Sequence, residues 1–427
     1  MPPTAHPAGP AGPPGRPVDA CIACGAPALD PILDLGKQPL ANSFLTPEAA
    51  ARGGPEPAFP LGTQWCRDCR LMQLTYIVPP ELLFATYLYV PSTSSTWLDH
   101  CESLADYVRD RAALQPGDLV VEFGSNDGTL LRAFQRRGLR VLGVEPAANL
   151  AERATAAGIP TLARYFGEEA GAAVRAEFGP ARAIVSTNVL AHVPDPVGVL
   201  RGVAHLLAPD GVYVNESPSL RQMVAQNEFD TIYHEHVSYF SLHALESLCT
   251  RADLAVVDAS IQTVHGGTLR TLAVPGGADV RPSEALRTLA AAERGDPALA
   301  PGGLRRFAAR AAVVRERLRA LVAERRAAGA GIAGYGATAK GNTLLSYCGL
   351  SAADLAFIAD RNPLKQGLLT PGAHIPVVSP EHLAAHPPDV LLLLAWNLAD
   401  EIRRQLAWFT ERGGAFLIPV PEPRLDR

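Results

Sequence analysis

The fold of this chain is decided by the stretch Asp118-Leu-Val-Val-Glu-Phe-Gly-Ser-Asn-Asp-Gly-Thr-Leu-Leu131. It opens as a short apolar strand, turns through Gly124 and Gly128, and continues as a helix that begins near Thr129. Glycines at such a turn let the backbone pass close to a ligand. The order of strand, glycine turn and helix is typical of a nucleotide-binding α/β unit.

The neighbouring segments extend this pattern on both sides. Their apolar residues predict one helix and then five further strands, at 100–114 and at 140–145, 183–188, 211–215, 254–258 and 269–274. Strands that alternate with helices form a parallel doubly wound sheet, whose ligand lies at the carboxyl ends of the strands. We therefore predict an α/β domain with its ligand at the glycine turn.

The polar residues near the turn indicate the ligand. The turn has the form Glu122-x-Gly124-x-Asn126-x-Gly128, which departs from the G-x-G-x-x-G of dinucleotide enzymes. Glu145 ends the second strand, where a carboxylate can hold ribose hydroxyls, and Asn188 ends a later strand. This combination resembles the class I S-adenosylmethionine-dependent methyltransferases; NAD is the main alternative. The expected cofactor-binding residues are Glu122, Gly124, Ser125, Asn126, Asp127, Gly128, Glu145 and Asn188.

A second α/β pattern follows a long helical stretch at 283–326. Residues 331–343 have the order of strand, glycine turn and helix start, and apolar strands follow at 357–360, 375–378, 389–394 and 415–419. This predicts a Rossmann-like carboxy-terminal domain. Lys340 and the free amides of the helix start can hold a diphosphate there. The alternative is that this turn only packs the helix on the sheet.

Four of the seven cysteines form two Cys-x-x-Cys pairs, Cys21 with Cys24 and Cys66 with Cys69. Two such pairs supply the four thiolates of a structural zinc site, and a closed set of four leaves no position for catalysis. A redox pair is the alternative, but it would not need two motifs. The remaining cysteines are expected in the core: Cys101, Cys249 and Cys348.

The run Tyr233-His-Glu-His-Val-Ser-Tyr-Phe-Ser241 concentrates groups that can move a proton near neutral pH. In a strand His234 and His236 would share a face, whereas in a helix Tyr233 and His236 would share one. A polar loop with solvated histidines is the alternative. His192, which follows Asn188, is expected at the mouth of the cofactor pocket.

Length and composition set the broad class. A chain of 427 residues suggests two or three domains, and a net charge of −5 gives no basic face for nucleic acid. No apolar run is long enough to span a bilayer, and the first residues lack the apolar core of a signal peptide. We expect a cytoplasmic, monomeric protein that binds neither nucleic acid nor membrane. The expected divisions are a disordered leader at 1–18, a zinc-binding domain at 19–85, a methyltransferase domain at 86–277 and the Rossmann-like domain at 278–427.

The order of motifs resembles one family. The cysteine pairs flank Leu35-Gly-Lys-Gln-Pro-Leu-Ala-Asn-Ser-Phe44 and precede Tyr87-x-Tyr89-x-x-Ser92-x-x-Ser95; the glycine turn, the run from Tyr233 and Gly334-Tyr-Gly-Ala-Thr-Ala-Lys-Gly-Asn-Thr343 follow. This is similar to the zinc-containing C-methyltransferases of deoxysugar biosynthesis, which act on nucleotide-linked 4-ketosugars in making antibiotic sugars. The resemblance covers nearly the whole chain beyond the leader.

The resemblance also implies roles for individual residues. His236 is the expected base that removes the proton next to the ketone, with the other catalytic residues being Tyr233, Glu235, His192 and Tyr87. His234 is expected to be structural. Substrate contacts are expected from Tyr89, Ser92, Lys340 and Asn342.

The expected substrate is a dTDP-linked 4-keto-deoxysugar; C3 and C5 both flank the C4 ketone, and C3 is favoured over C5 as the methylated carbon. The alternatives are an O- or N-methyltransferase of another small molecule, a non-catalytic nucleotide-sugar-binding protein, and an NAD-dependent sugar oxidoreductase.

Overall fold

The computed structural model describes residues 14–54, 56–84, 95–263, 266–277, 279 and 281–426. Its amino-terminal part is a small antiparallel module that contains both cysteine pairs. The elements of this part are β1 (Arg16–Pro17), β2 (Leu29–Pro39), α1 (Pro47–Ala51), β3 (Ala58–Cys66), β4 (Met72–Leu74), β5 (Tyr76–Ile77) and α2 (Pro80–Phe84). Residues 1–13 of the predicted leader lie outside the described residues, whereas Arg16–Pro17 form β1 and pair with β5, so the end of that leader is ordered rather than disordered.

The central part contains the fold-deciding stretch. Its elements are α3 (Ser95–Ala112), β6 (Leu119–Phe123), α4 (Thr129–Arg136), β7 (Arg140–Val144), α5 (Ala148–Ala156), β8 (Thr161–Leu162), α6 (Glu168–Phe178), β9 (Ala181–Thr187), α7 (Pro196–Leu206), β10 (Leu207–Pro218), α8 (Leu220–Ala225), β11 (Ser238–Tyr239), α9 (Leu242–Arg251), β12 (Leu254–Gln262) and β13 (Thr268–Pro275).

Seven of these strands form one sheet in the order β12-β13-β10-β9-β6-β7-β8. The strands from β10 to β8 are parallel, as predicted, because helices return the chain between them. Strand β13 runs antiparallel to both of its neighbours, β10 and β12, so the sheet is mixed rather than wholly parallel. Strand β6 is buried along its whole length, which places the glycine turn at the carboxyl edge of a covered sheet.

The carboxy-terminal part is a second α/β layer. Its elements are α10 (Glu284–Arg294), α11 (Pro301–Ala327), β14 (Ile332–Tyr335), α12 (Ala339–Cys348), β15 (Ile358–Ala359), β16 (Val377–Val378), α13 (Pro380–Ala385), β17 (Val390–Leu393), α14 (Ala399–Gln405), α15 (Ala407–Glu411), β18 (Ala415–Ile418) and β19 (Arg424–Asp426). The sheet order is β16-β15-β14-β17-β18-β19, and all strands but β19 are parallel. This is the Rossmann-like arrangement that the sequence predicts.

The stretch Tyr233–Ser241, called the proton-transfer run below, joins the amino-terminal module to the central part. Strand β11, within that run, pairs antiparallel with β4 and completes the sheet β11-β4-β3-β2. The amide of Leu74 also donates to the carbonyl of Val237 at 2.9 Å. The position of the run therefore depends on the cysteine-bearing module.

Among the described residues, no helix has the length and apolar character needed to cross a membrane.

Candidate active site

A cleft of about 2070 Å³ lies where the three parts of the chain meet. The amino-terminal module contributes Asn42, and the central sheet contributes the glycine turn. The proton-transfer run contributes Tyr233 and His236, and the carboxy-terminal part contributes Lys340. The cleft is therefore large enough for a cofactor and a second ligand side by side.

The cofactor end of the cleft is built by the turn between β6 and α4. Gly124 has a φ of +64°, and a Cβ there would overlap the side chain of Val189, so only glycine fits. Gly128 also has a positive φ, at +74°, but it packs against Ile159 and does not line the cleft. The other predicted cofactor residues do line it: Glu122, Ser125, Asn126, Asp127, Glu145 and Asn188.

Glu145 is tied to the turn it faces. Its Oε2 accepts a hydrogen bond from the amide of Asn126 at 2.9 Å, and its Oε1 accepts one from the amide of Ala147 at 2.9 Å. Burial nevertheless raises the pKa of this carboxyl. Burial, with the nearby charge of Glu145, also raises the pKa of Glu122 well above its ordinary value. A carboxyl group at the end of the second strand can hydrogen-bond the ribose hydroxyls of a nucleoside cofactor.

Three buried polar atoms at this end have no hydrogen-bond partner among the described residues: Glu122 Oε2, Ser125 Oγ and Asn188 Oδ1. Buried polar atoms are normally paired, so these atoms indicate a ligand with hydroxyl and amine groups. The residues present therefore fit S-adenosylmethionine.

The Tyr233 hydroxyl lies 2.8 Å from Nε2 of His236, and the Nδ1 of His236 lies 2.9 Å from the carbonyl oxygen of Thr231. A carbonyl can only accept, so Nδ1 carries the proton and Nε2 presents the lone pair. Burial lowers the pKa of His236 well below its ordinary value, and the neighbouring His192 lowers it further. The imidazole is therefore neutral and able to take a proton.

His192 lies beside this pair, with its ring 4.8 Å from that of His236 in an edge-to-face arrangement. It is in the short 3-10 helix that follows β9, and it lines the cleft. Burial lowers its pKa to about 4, so it too is neutral. The structure thus brings together three of the five predicted catalytic residues.

Glu235 and His234 point away from the cleft lining. The Nδ2 of Asn42 donates to Oε1 of Glu235 at 2.7 Å, and burial raises the pKa of Glu235 to about 7. Nε2 of His234 lies 3.3 Å from the carbonyl of Phe59, in the core of the amino-terminal module. The placement of His234 agrees with the structural role expected for it.

The carboxy-terminal end of the cleft repeats the geometry of the cofactor end. Asp360 follows β15 as Glu145 follows β7. Its Oδ2 accepts from the amide of Ala337 in the second glycine turn at 2.6 Å, and its Oδ1 accepts from the amide of Asn362 at 2.7 Å. The two α/β units thus hold their turns with equivalent carboxylates.

Lys340 lines this end, and its Nζ lies 3.2 Å from Oε2 of the buried Glu228. Lys365 lines it as well; its Nζ donates to the carbonyl of Ala337 at 2.7 Å. Asn342 lies elsewhere: it is buried, it donates to the carbonyl of Ala41 at 2.7 Å, and it does not line the cleft. Its expected substrate contact is therefore replaced by a structural tie to the amino-terminal module.

Three predicted residues lie outside the described part of the chain: Tyr87, Tyr89 and Ser92.

The four cysteines of the paired motifs converge as predicted. Their Sγ atoms all lie within 4.8 Å of one another, and they are the one such cluster within the described ranges. Four thiolates at this spacing fit a single tetrahedral zinc ion. The other three cysteines are buried in the core, as expected.

Among the cleft residues that the prediction from sequence missed are Asn42, Glu228, Asp360 and Lys365. Asp360 carries the same signal as Glu145, an acid that ends the second strand of an α/β unit, and it was findable on that ground. Asn42 and Glu228 carry no such signal, because they reach the cleft only through the packing of separate parts of the chain.

Comparisons with known proteins agree with this architecture. Three family models match, described as a zinc binding domain (residues 21–84), a methyltransferase domain (98–259) and a C-methyltransferase C-terminal domain (263–421).

Two curated relatives and one solved structure illustrate the range of similarity. C-methyltransferase NovU of Streptomyces niveus is 43% identical over 408 residues, covering 96% of this chain and 97% of that protein. A ubiquinone biosynthesis O-methyltransferase of Xanthomonas campestris is 32% identical over 108 residues, covering 25% of this chain and 45% of that protein. The structure of magnesium protoporphyrin IX methyltransferase from Synechocystis, with bound SAM, matches 42% of this chain and 80% of its own, at 13% identity and a TM-score of 0.33.

The relationship to NovU extends over nearly the full length of both chains, and the family models cover all three parts of the structure. The chain therefore belongs to the C-methyltransferase family, as an S-adenosylmethionine-dependent enzyme with a zinc-binding amino-terminal module.

Proposed function

We propose that this enzyme methylates a carbon next to the ketone of a dTDP-linked 4-keto-deoxysugar, with His236 as the base. The observation that carries the proposal is the hydrogen-bonded row of Tyr233, His236 and Thr231, which faces a cleft shared by two α/β units. Methylation at carbon needs such a base, because a proton must leave the carbon before a new bond forms.

The row supports proton removal in a specific way. Nδ1 of His236 is held by the carbonyl of Thr231, so the imidazole keeps its orientation while Nε2 takes the proton. Once Nε2 is protonated, it no longer accepts the hydrogen bond from Tyr233. The Tyr233 hydroxyl can then donate to the enolate oxygen that forms in the same step.

His192 acts beside this pair as a second neutral group that faces the cleft. A neutral imidazole carries one N–H group, which can donate a hydrogen bond to the enolate oxygen. When bound at the first glycine turn, S-adenosylmethionine would supply an electrophilic methyl group, which would pass to the substrate carbon as the methyl–sulfur bond breaks and leaves a neutral thioether.

The carboxy-terminal unit is proposed to hold the nucleotide. The amides at the start of α12, together with Lys340 and Lys365, offer positive charge for a diphosphate, and Asp360 offers a carboxylate for a sugar hydroxyl of the nucleoside. The deoxysugar would then reach toward His236 from the opposite end to the cofactor. This arrangement, and the resemblance to enzymes of antibiotic sugar biosynthesis, favour a nucleotide-linked substrate.

The test is to incubate the enzyme with S-adenosylmethionine and a dTDP-4-keto-6-deoxysugar that carries deuterium at C3 or at C5. The expected products are S-adenosylhomocysteine and a branched sugar that has lost deuterium from the methylated carbon. Loss of deuterium from C3 supports methylation at C3, and loss of deuterium from C5 shows that the enzyme methylates the carbon on the other side of the ketone. Methylation with both deuterium labels retained would contradict the proposal.

A further inference from the structure

Asn42 belongs to the amino-terminal module but reaches into the cleft. It lies three residues after the end of β2, and the preceding carbonyl, that of Ala41, accepts a hydrogen bond from Asn342 of α12 at 2.7 Å. Asn342 is buried, so this contact fixes the loop from behind. Asn42 is therefore held at the junction of the amino-terminal module, the proton-transfer run and the carboxy-terminal part.

The orientation of the Asn42 amide follows from its partner. Its Nδ2 donates to Oε1 of Glu235 at 2.7 Å, where the carboxyl oxygen is the acceptor. The amide nitrogen must then face Glu235, which leaves Oδ1 as the group presented away from it. Asn42 is half-buried, and within the described residues Oδ1 receives no hydrogen bond.

Glu235 is well placed to hold this orientation. Its side chain is buried, it lies next to His236 in sequence, and the positive charge of Lys365 acts on it. A buried carboxylate with an amide donor at one oxygen has little freedom to turn. The position of Asn42 is thereby linked to the same short run that carries the base.

We propose that Asn42 is a specificity-determining residue whose Oδ1 accepts a hydrogen bond from a hydroxyl or amino group on the sugar, with Glu235 as its positioning residue. The inference rests on the proposed function, since it needs a sugar bound beside His236. It predicts a preference for sugars that carry a hydrogen-bond donor near the methylated carbon. An analogue that lacks this donor leaves the amide oxygen of Asn42 without its partner and is therefore disfavoured.

The experiment compares two substrates, the dTDP-4-ketosugar with its hydroxyl next to the methylated carbon and the deoxy analogue without it. For the wild type, kcat/KM should favour the first substrate by about tenfold to a hundredfold, as for the loss of one buried hydrogen bond. Asn42→Ala should remove most of this preference by lowering kcat/KM for the hydroxyl substrate alone. Ser43→Ala, on the exposed neighbouring residue, should leave the preference unchanged.

Glu235→Gln is the second variant. It keeps the shape of the side chain but replaces one carboxyl oxygen with an amide nitrogen, which can donate a hydrogen bond to Asn42 instead of accepting one. It should reduce the preference, and adding Asn42→Ala should then have little further effect on it. Equal loss with both substrates in Asn42→Ala, at normal affinity for S-adenosylhomocysteine, would overturn the inference and assign Asn42 a structural role. Failure of the wild type to methylate either sugar would instead contradict the proposed function.

Discussion

The Tyr233 hydroxyl and Nε2 of His236 are joined by a hydrogen bond of 2.8 Å, and their rings lie 4.1 Å apart. Because the other imidazole nitrogen faces a carbonyl, the tyrosine must be the donor in this bond. The imidazole of His236, the proposed base, is thus neutral, and its Nε2 accepts the hydrogen bond from Tyr233. Two residues three positions apart can meet this way because the run bends back, with the amide of His236 donating to the carbonyl of Tyr233 at 2.9 Å.

The first prediction concerns Tyr233. Tyr233→Phe removes the donor to the enolate but leaves Nε2 of His236 free to take the proton. We expect kcat to fall by about tenfold to a thousandfold, as for loss of one oxyanion donor, with a smaller change in KM. Steady-state kinetics at several pH values would measure both. If the variant lost proton exchange as completely as His236→Asn, the proton would instead pass through the phenol.

The second prediction separates the two ends of the cleft. Glu145→Gln weakens an acceptor for two backbone amides at the cofactor turn, and Asp360→Asn does the same at the second turn. Each substitution is expected to lower the affinity for the ligand at its own turn by about tenfold to a hundredfold. Calorimetry should show weaker S-adenosylhomocysteine binding for Glu145→Gln only, and weaker dTDP binding for Asp360→Asn only. Weaker binding of one common ligand in both variants would contradict the assignment of separate sites.

The third prediction concerns zinc. Strand β4 follows the second cysteine pair and pairs with β11, two residues beyond His236. The Gln73 side chain of β4 also accepts from the amide of Ile22 and donates to the carbonyl of Ala20, on either side of Cys21. Cys24→Ala should therefore lower the zinc content, the melting temperature and turnover together.

Cys101→Ala is the matched control, since Cys101 is buried outside the cluster. It should keep the full zinc content. If Cys24→Ala lost zinc but kept normal turnover, the position of His236 would not depend on the zinc site through the pairing of β4 with β11.

The fourth prediction concerns pH. Burial lowers the pKa of His234 from 6.5 to about 4, so its contribution to stability is complete above pH 6.5 and is lost as the pH falls toward 4. Between pH 7 and pH 5 this amounts to about 2 kcal/mol. Glu235 and Glu293, whose pKa values burial raises to about 7, act with the opposite sign over part of this range.

The measurement therefore compares how much the free energy of unfolding changes between pH 7 and pH 5 in the wild type and in a variant. Urea denaturation at pH 7 and pH 5 should show that His234→Gln loses about 2 kcal/mol less than the wild type over this interval. His386→Gln, at an exposed position, should behave as the wild type does. Equal losses in His234→Gln and the wild type would show that His234 is not held neutral by burial.

Much of this architecture could be predicted from the sequence. Each α/β unit is marked by a local pattern of apolar strand, glycine turn and helix, and the cysteine pairs mark the zinc site without any long-range information. Strands β8 and β19, which were not predicted, are only two and three residues long, too short to show an alternating apolar pattern. The strands of the amino-terminal module were not predicted either, although β2 has 11 residues and β3 has 9. The reversed direction of β13 was also not evident, because an apolar strand looks the same in either direction.

The candidate site was less predictable where it depends on distant contacts. The pairing of Met72 with Tyr239 and the bond from Asn42 to Glu235 join segments that no local pattern connects. Asn342 shows the opposite error: its place in a helix start suggested a ligand contact, whereas packing of the amino-terminal module covers it.

The most direct test of the central claim is deuterium exchange at the carbon next to the ketone. The enzyme is incubated in D₂O with the dTDP-4-ketosugar and S-adenosylhomocysteine, so that a proton can be removed but no methyl transferred, and the sugar is followed by NMR. Wild type should exchange the proton at the carbon that it methylates, while His236→Asn should show no exchange above the rate without enzyme and still bind both ligands. Exchange at the wild-type rate in His236→Asn would contradict the assignment of His236 as the base.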